Sequence, residues 1–122
     1  MSRSRQSAKQ AGARFARVIA DGFQNNGFKF ADKKPLYGAK DRGDIGGVHT
    51  ASGDGITIEC KDYGGEFHVG TWLKEVAEER INDRGIAGIV IAKRRGKTDP
   101  MDQVCFMEVR DLMALLTGSR PE

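Results

Sequence analysis

Hydrophobic residues recur at helical spacing in three stretches of the chain. Residues 7–26 end at Asn26-Gly27, a left-handed stop, and are predicted to form the first helix. Residues 71–83 and 110–116 are predicted to form the second and third. In the second helix, the predicted apolar stripe is Trp72, Leu73, Val76, Ala77 and Ile81, and the predicted water-facing residues are Lys74, Glu75, Glu78, Glu79 and Asn82.

Five shorter stretches have the alternating or continuous apolar character of β-strands. They are residues 28–30, 44–50, 55–61, 85–92 and 104–109. Ala51-Ser52-Gly53-Asp54, between the second and third strands, has the composition of a hairpin turn. The order helix, three strands, helix, two strands, helix predicts an α/β sheet with helices on its faces.

The length of 122 residues fits a single domain, 1–122, with residues 1–8 as a candidate flexible basic arm. No apolar run approaches the roughly 20 residues of a membrane span, so we expect a soluble protein without membrane contact. The polar, basic N-terminus favours a cytoplasmic location, which is the host cytoplasm for a phage-encoded chain. Cys60 and Cys105 lie in apolar runs and are expected to be buried thiols.

Positive charge is concentrated in two segments, although the net charge is only +3. The first twenty residues contain five basic residues and no acid, and Lys93-Arg94-Arg95-Gly96-Lys97 follows an apolar strand. Such blocks attract polyanions, and the alternative interpretation is an ordinary solvated surface. The residues predicted to contact DNA are Arg3, Arg5, Lys9, Lys33, Lys34, Lys40, Arg42, Lys93, Arg94 and Arg95.

An aspartate and an E-x-K triplet lie on the two predicted hairpin strands. Strand alternation puts Glu59 and Lys61 on one face, roughly 6–7 Å apart at their Cα atoms. Pairing that brings Asp44 beside Glu59 would require a cation between the two carboxylates. Oxygen ligands favour Mg²⁺, with Mn²⁺ as a substitute, and Lys61 is suited to position water or balance charge on phosphorus. The alternative interpretation is a buried ion cluster without catalysis.

With these residues the chain resembles the PD-(D/E)xK nuclease superfamily, and within it the archaeal-type and phage Holliday-junction resolvases. Gly43-Asp44-Ile45 stands in the PD position and Ile58-Glu59-Cys60-Lys61 in the E-x-K position. The later helix and strands follow in matching order, so the resemblance covers most of the chain. It implies a restriction-endonuclease-like α/β fold with a mixed five-stranded sheet flanked by helices.

The resemblance also implies roles for individual residues. Asp44, Glu59 and Lys61 are the implied catalytic residues, with Asp44 and Glu59 binding Mg²⁺ and Lys61 assisting the attacking water. The backbone carbonyl of Cys60 is implied to complete the metal site. Resolvases of this type act as homodimers that nick four-way junctions symmetrically in DNA recombination and repair.

Two departures from the family pattern affect the expected metal site. Gly43 replaces the usual proline, and the first helix lacks the acid that resolvases place near the metal. Ser7 and Gln10 are the auxiliary candidates for that position.

Other residues have both a functional and an ordinary interpretation. Glu75, Glu78 and Glu79 are candidates to extend the metal site from the second helix, and the ordinary interpretation, which is favoured, is a solvated polar face. Tyr63 and Phe67 are suited to stack on unpaired bases or simply to pack within their loop, and Trp72 to lie in the core or a dimer interface. His49 and His68 lack partners at metal-ligand spacing. Gly96-Lys97-Thr98 lacks the earlier glycine of a P-loop, so no nucleotide cofactor is expected.

The sequence therefore predicts a magnesium-dependent endodeoxyribonuclease that acts on branched DNA as a homodimer. Two alternatives stay open. One is a repair or restriction-type nuclease that acts on DNA without junctions, and the other is a basic DNA-binding module without catalysis.

Overall fold

The computed structural model describes residues 4–35 and 41–121. Its elements, in chain order, are α1 (Arg5–Asn25), β1 (Asp32–Lys33), β2 (Ile45–Gly46), β3 (Ile56–Lys61), α2 (Val69–Asp83), β4 (Ala87–Ala92), a single-turn 3-10 helix (Pro100–Asp102), β5 (Val104–Phe106) and α3 (Val109–Thr117). α1 begins before its predicted start because the Ser4 hydroxyl accepts the Ser7 N–H at 3.1 Å. Residues 5–8 of the candidate arm are therefore helical.

The strands form one sheet in the order β1-β2-β3-β4-β5. β3 and β4 run parallel, joined by α2 as a crossover, and the other neighbouring pairs are antiparallel. The predicted fold class, an α/β protein with a mixed five-stranded sheet flanked by helices, is confirmed. The predicted hairpin is present as well, with Ile45 opposite Ile58 and an isolated bridge between His49 and Gly55.

The two faces of β3 contact different helices. Ile58 and Cys60 belong to the apolar core beneath α1. Thr57, Glu59 and Lys61 alternate to the opposite face, where α2 lies. The larger core also contains Phe15, Ile19, Ile45 and Ile91. β3 thus offers an apolar face to α1 and a polar face to α2.

The first strand lies later in the chain than predicted. Residues 28–30 belong to a turn, in which the Ala31 N–H donates to the Phe28 carbonyl at 2.8 Å, and β1 follows at Asp32–Lys33. The Phe28 ring packs edge-on against Phe23 of α1, with ring centroids 5.6 Å apart. The prediction of a strand at 28–30 is wrong because Phe28 anchors this turn to the helix.

α2 presents a more polar face to the sheet than its apolar pattern predicted. Trp72, Val76 and Glu79 are buried, whereas Ile81 is 66% exposed. The predictions that Glu79 faces water and that Ile81 faces the core are wrong. Covered polar side chains of β3 need partners, and the acids of α2 supply them. Trp72 packs within the protomer and is unavailable to a dimer interface.

Within the described ranges, no helix combines the length and apolar character needed to cross a membrane. Cys60 is buried as predicted. Cys105 is exposed because β5 is an edge strand, so the prediction of a buried thiol is wrong there.

Candidate metal centre

Asp44 directly precedes β2 and contacts the middle of β3. Its backbone N–H donates to the Ile58 carbonyl at 2.7 Å, and its Oδ2 accepts the Cys60 N–H at 2.8 Å. The carboxyl group of Asp44 lies close enough to that of Glu59 to raise the pKa of Glu59. Since the N–H and C=O of one strand residue point to the same side, the Cys60 carbonyl also faces Asp44. The structure therefore brings Asp44 and Glu59 together as the hairpin predicted.

Gly43 allows this close approach of Asp44 to β3. Its φ is +87°, and a Cβ there would lie 2.8 Å from the Ile58 carbonyl oxygen. Its N–H donates to Asp41 Oδ1 at 2.9 Å, which turns the Asp41 side chain back toward the sheet. Because proline is fixed at a φ near −65°, the glycine in place of proline has a local structural reason.

Two further acids complete the cluster. Asp41, Glu59 and Glu79 each offer a carboxylate oxygen, and these oxygens all lie within 4.8 Å of one another. Glu79 is only 5% exposed. Its Oε2 is buried without a hydrogen-bond partner among the residues that the structure describes. A buried oxygen of this kind is costly, and coordination of a cation would satisfy it.

The segment that carries Asp41 is fastened to α2. The Asn82 side-chain amide donates to the Asp41 carbonyl at 2.9 Å. The Lys34 ammonium donates to the Arg42 carbonyl at 2.7 Å and pairs with Asp83 at 2.5 Å. These bonds hold the Asp41 carboxyl in place even though the residue is exposed.

The polar face of β3 and one face of α2 meet as a series of three pairs. Alternate strand residues rise roughly 6–7 Å, close to the roughly 6 Å rise of four helical residues, so the two spacings match. The pairs are Lys61 with Glu75 at 2.6 Å, Glu59 with Glu79, and Thr57 with Asp83 at 2.7 Å. Glu79 therefore occupies the middle position, directly over the E-x-K triplet.

Burial and the neighbouring carboxyl groups raise the pKa values of Glu59 and Glu79. Burial raises the pKa of Glu59 far above its ordinary range, and hydrogen bonds with Asp44 and Glu79 and their negative charges add to the rise. Burial and the charges of Asp41 and Asp44 raise the pKa of Glu79 to about 7, against the opposing effect of its hydrogen bond with Glu59. Protons or a divalent cation must offset the negative charge. An all-oxygen set of acids fits Mg²⁺ or Mn²⁺.

Lys61 stays a cation beside this cluster. Burial alone would lower its pKa, but the hydrogen bond to Glu75 and the charges of Glu59 and Glu75 raise it above the ordinary value. The ammonium also lies 5.9 Å from the centre of the Trp72 ring. In the metal-free fold Lys61 can therefore donate hydrogen bonds and neutralise charge.

The auxiliary candidates on α1 do not join the cluster. The Ser7 hydroxyl donates to the Ser4 carbonyl at 3.2 Å, and the Gln10 side chain is exposed. α1 covers the apolar face of β3, whereas the additional buried acid, Glu79, comes from α2 on the other face. The spacing of Trp72, Val76 and Glu79 is the signal in the sequence that indicates this buried acid, because it puts all three side chains on one side of the helix.

The predicted DNA contacts fall into three groups. Arg3 and Lys40 lie outside the described residues. Lys34 is a structural residue, since its ammonium pairs with Asp83 and its side chain is only 14% exposed. The remaining basic residues lie on α1, on β1, next to Asp41, or after β4: Arg5, Lys9, Lys33, Arg42, Lys93, Arg94 and Arg95. The basic residues after β4 adjoin the site because the Lys93 N–H donates to the Lys61 carbonyl at 2.9 Å.

Comparisons of the chain with protein-family models, curated proteins and solved structures find no match. The class of the protein therefore follows from its own geometry. It is an α/β domain in which four carboxyl groups converge beside a lysine at one side of a mixed sheet.

Proposed function

We propose that the protein is a divalent-metal-dependent DNA endonuclease that cuts four-way junctions by symmetric nicking as a homodimer. The observation that carries this proposal is the convergence of four carboxyl groups beside the Lys61 ammonium. A buried acidic cluster destabilises a metal-free fold. A site that needs a cation for its chemistry explains that cost, whereas a purely structural cluster does not.

Among the described residues, the cluster offers only oxygen ligands to such an ion. They are the carboxylates of Asp41, Asp44, Glu59 and Glu79 and the carbonyl of Cys60. A bound Mg²⁺, or Mn²⁺ in its place, supplies Lewis-acid polarisation of the phosphodiester and lowers the pKa of a water molecule. The buried Glu79 oxygen without a partner supports the assignment, because it is the ligand whose desolvation is otherwise uncompensated.

Lys61 stabilises the charge that develops on the phosphate oxygens. Its ammonium is held by Glu75 at 2.6 Å, so it is oriented before the substrate arrives. Because the ammonium is already held in place, little reorganisation is needed during the reaction. Glu75 is thus a positioning residue, and Lys61 is the residue that contacts the phosphate.

Basic residues on two sides of the cluster support DNA as the substrate. Arg42 adjoins the Asp41 segment, and Lys93, Arg94 and Arg95 adjoin Lys61 through the β3–β4 pairing. Contacts of this type position the phosphate backbone without reading sequence. They place positive charge around an acidic centre that would otherwise repel a polyanion.

The homodimer follows from the proposed reaction. Two matched nicks in a junction require two sites related by a two-fold axis, and the part of the 122-residue chain that the structure describes has one such cluster. Trp72 is buried and does not contribute. Exposed apolar residues on α2 and α3, among them Ile81, Val109 and Leu116, supply candidate interface surface instead.

The test compares an immobile four-way junction, a matched linear duplex and a single strand, each labelled and incubated with Mg²⁺ or with chelator. Glu59→Gln removes one ligand at nearly constant shape. Glu78→Gln makes the same change on the exposed side of α2 and is the matched control. We expect the parent protein to make paired symmetric nicks in the junction. Chelator and the Glu59→Gln substitution should abolish this cutting, and the Glu78→Gln variant should still cut.

The other outcomes separate the alternatives. Equal cutting of junction and linear duplex would keep the site and assign it to a repair or restriction-type nuclease. DNA binding without cutting in Mg²⁺ or Mn²⁺, together with unchanged binding of Mn²⁺ in Asp44→Asn, would refute the nuclease and leave a DNA-binding module.

A further inference from the structure

Tyr63 is an exposed aromatic residue two positions after Lys61. Its ring centroid lies 5.0 Å from that of Trp72 and 5.5 Å from that of His68, yet the residue is 49% exposed. Trp72 is itself buried and stacks on Phe106 with ring planes 11° apart. Tyr63 is therefore supported by packed rings while part of its own ring is open to solvent.

The loop that presents Tyr63 is fixed by backbone bonds. The Glu66 N–H donates to the Tyr63 carbonyl at 3.1 Å, across a turn in which Gly64 and Gly65 have φ values of +65° and +96°. Arg95 clamps this turn, since its Nε and Nη2 donate to the Gly64 carbonyl at 3.1 and 3.0 Å. A ring held in this way loses little conformational entropy when a ligand packs on it.

Phe67 provides a second open ring on the same support. It is 44% exposed, and its ring centroid lies 6.5 Å from that of Phe106, the residue on which Trp72 stacks. Tyr63 and Phe67, here called the aromatic platform, thus rest on one stacked pair of rings, Trp72 and Phe106. Two open rings next to a candidate phosphodiester site suit flat, aromatic ligands.

The charge around the aromatic platform identifies the class of partner. Arg94 and Arg95 are exposed, and neither pairs with a carboxylate in the part of the chain that the structure describes. An apolar peptide or a second copy of this basic segment would leave that charge uncompensated. A nucleic-acid strand matches both features, because its phosphates meet the cations and its bases stack on aromatic rings.

We propose that the aromatic platform stacks an unpaired nucleobase of the DNA strand whose phosphate enters the carboxylate cluster. Bases inside a continuous duplex are already stacked and paired, so their faces cannot reach Tyr63 or Phe67. The platform therefore favours DNA with an unstacked nucleotide at a branch, bulge or single-stranded end. This inference rests on the proposed function, because it places the scissile strand at the cluster.

The test measures binding in the Glu59→Gln chain, so cleavage plays no part in it. The probes are a labelled single strand, its fully paired duplex, and a duplex with a 2-aminopurine in a single-base bulge. Tyr63→Ala is compared with Tyr63→Phe. Phe67→Ala serves as a second variant, because Phe67 contacts fewer rings than Tyr63 does. Phe30→Ala removes a 75% exposed aromatic residue in the turn before β1 and is the matched control.

Tyr63→Ala is expected to weaken binding of the single strand and the bulge roughly 5- to 150-fold, as expected for loss of one stacked base. Tyr63→Phe and Phe30→Ala should retain the parent affinity, and duplex affinity should change little in every variant. The 2-aminopurine emission should be quenched by the parent and not by Tyr63→Ala. Thermal denaturation, followed by the emission of the only tryptophan, Trp72, checks that each variant is folded.

Unchanged single-strand affinity in folded Tyr63→Ala and Phe67→Ala would overturn the platform, even where Glu59-dependent cutting is intact. Equal weakening of duplex and single-strand binding would overturn the platform as well, because it would show that the substitution changes electrostatic contacts and not base stacking. Tyr63-dependent stacking in a protein that never cuts DNA would refute the nuclease and keep the platform.

Discussion

Glu79 is the residue whose environment departs most from what its position in the sequence suggests. A glutamate side chain in water is charged, yet Glu79 is buried at the centre of the α2 face that covers β3. Asp41, Asp44 and Glu59 surround it, and one of its oxygens has no partner in the described part of the chain. In the absence of metal the raised pKa of Glu79 lets the folded state hold a proton at this group below about pH 7, and the stability of the fold becomes dependent on pH.

The stability of metal-free protein is expected to fall between pH 5 and pH 8. The pKa of Glu79 is raised to about 7 in the fold, from 4.5 in an unperturbed glutamate, so the folded state keeps a proton that the unfolded chain releases. This contribution is complete below about pH 4.5 and is lost as the pH rises through about 7. The pKa of Glu59 is raised as well, so Glu59 keeps its proton in the fold over this range and adds to the fall in stability. We expect a loss of at least about 2 kcal/mol, or roughly 5–10 °C in Tm, by thermal denaturation in chelator.

Glu79→Gln and Mg²⁺ provide the checks on this prediction. The glutamine variant does not titrate, so its Tm should change less over the same pH range, while Glu78→Gln should follow the parent protein. Mg²⁺ at pH 8 should restore more stability to the parent than to Glu79→Gln. A parent Tm that is constant or rises over this range would contradict a protonated Glu79 in the fold.

The pairing of β3 with α2 is the element-scale feature that positions the site. Alternate residues of β3 contact residues four apart on α2. The contact at one end of this series therefore fixes which residues of the strand and the helix face each other at its centre. Thr57 and Asp83 form the end nearest the C-terminus of α2, where Asp83 also pairs with Lys34. That end supplies no proposed metal ligand, and it acts on the carboxylate cluster only by holding α2 and the Asp41 segment in place.

Asp83→Ala is expected to destabilise the protein by about 2–4 kcal/mol and to weaken Mn²⁺ binding. The change leaves the largely buried Lys34 ammonium and the Thr57 hydroxyl without their partner. Asp21→Ala removes an ion pair with Arg17 whose side chains are 49% and 52% exposed, and should cost less than about 1 kcal/mol. Urea denaturation and Mn²⁺ titration measure both effects, and equal stabilities of the two variants would refute the positioning role of Asp83.

At the scale of the whole molecule, the sequence predicted those features that depend on local patterns. The hairpin that joins Asp44 to Glu59 follows from strand alternation and a turn composition, and both are local. The inward position of Glu79 is not local, because it depends on the polar face of β3 that α2 covers. A helix pattern treats acids as water-facing. The first strand was misplaced for a similar reason, since Phe28 packs on α1 from outside the sheet.

Around the candidate site, four acids lie at the centre and basic residues lie at the periphery. The negative charge of the cluster is offset by a cation or by protons, while Arg94 and Arg95 after β4 face solvent. Two kinds of contact with DNA should therefore be separable. Electrostatic contacts depend on salt and act on every DNA form, whereas stacking on the aromatic platform depends on base accessibility.

Arg94→Ala is expected to weaken binding of junction, duplex and single strand by similar factors. It should also reduce the slope of log K against log salt concentration by about 1, the change for one lost phosphate contact. Lys29→Ala, which removes an exposed cation from the turn before β1, is the control and should keep the slope. The measurement is a salt series of binding titrations in the Glu59→Gln chain. An unchanged slope for Arg94→Ala would mean that the segment after β4 faces away from DNA, and the strand entering the cluster would then have to approach from the Arg42 side.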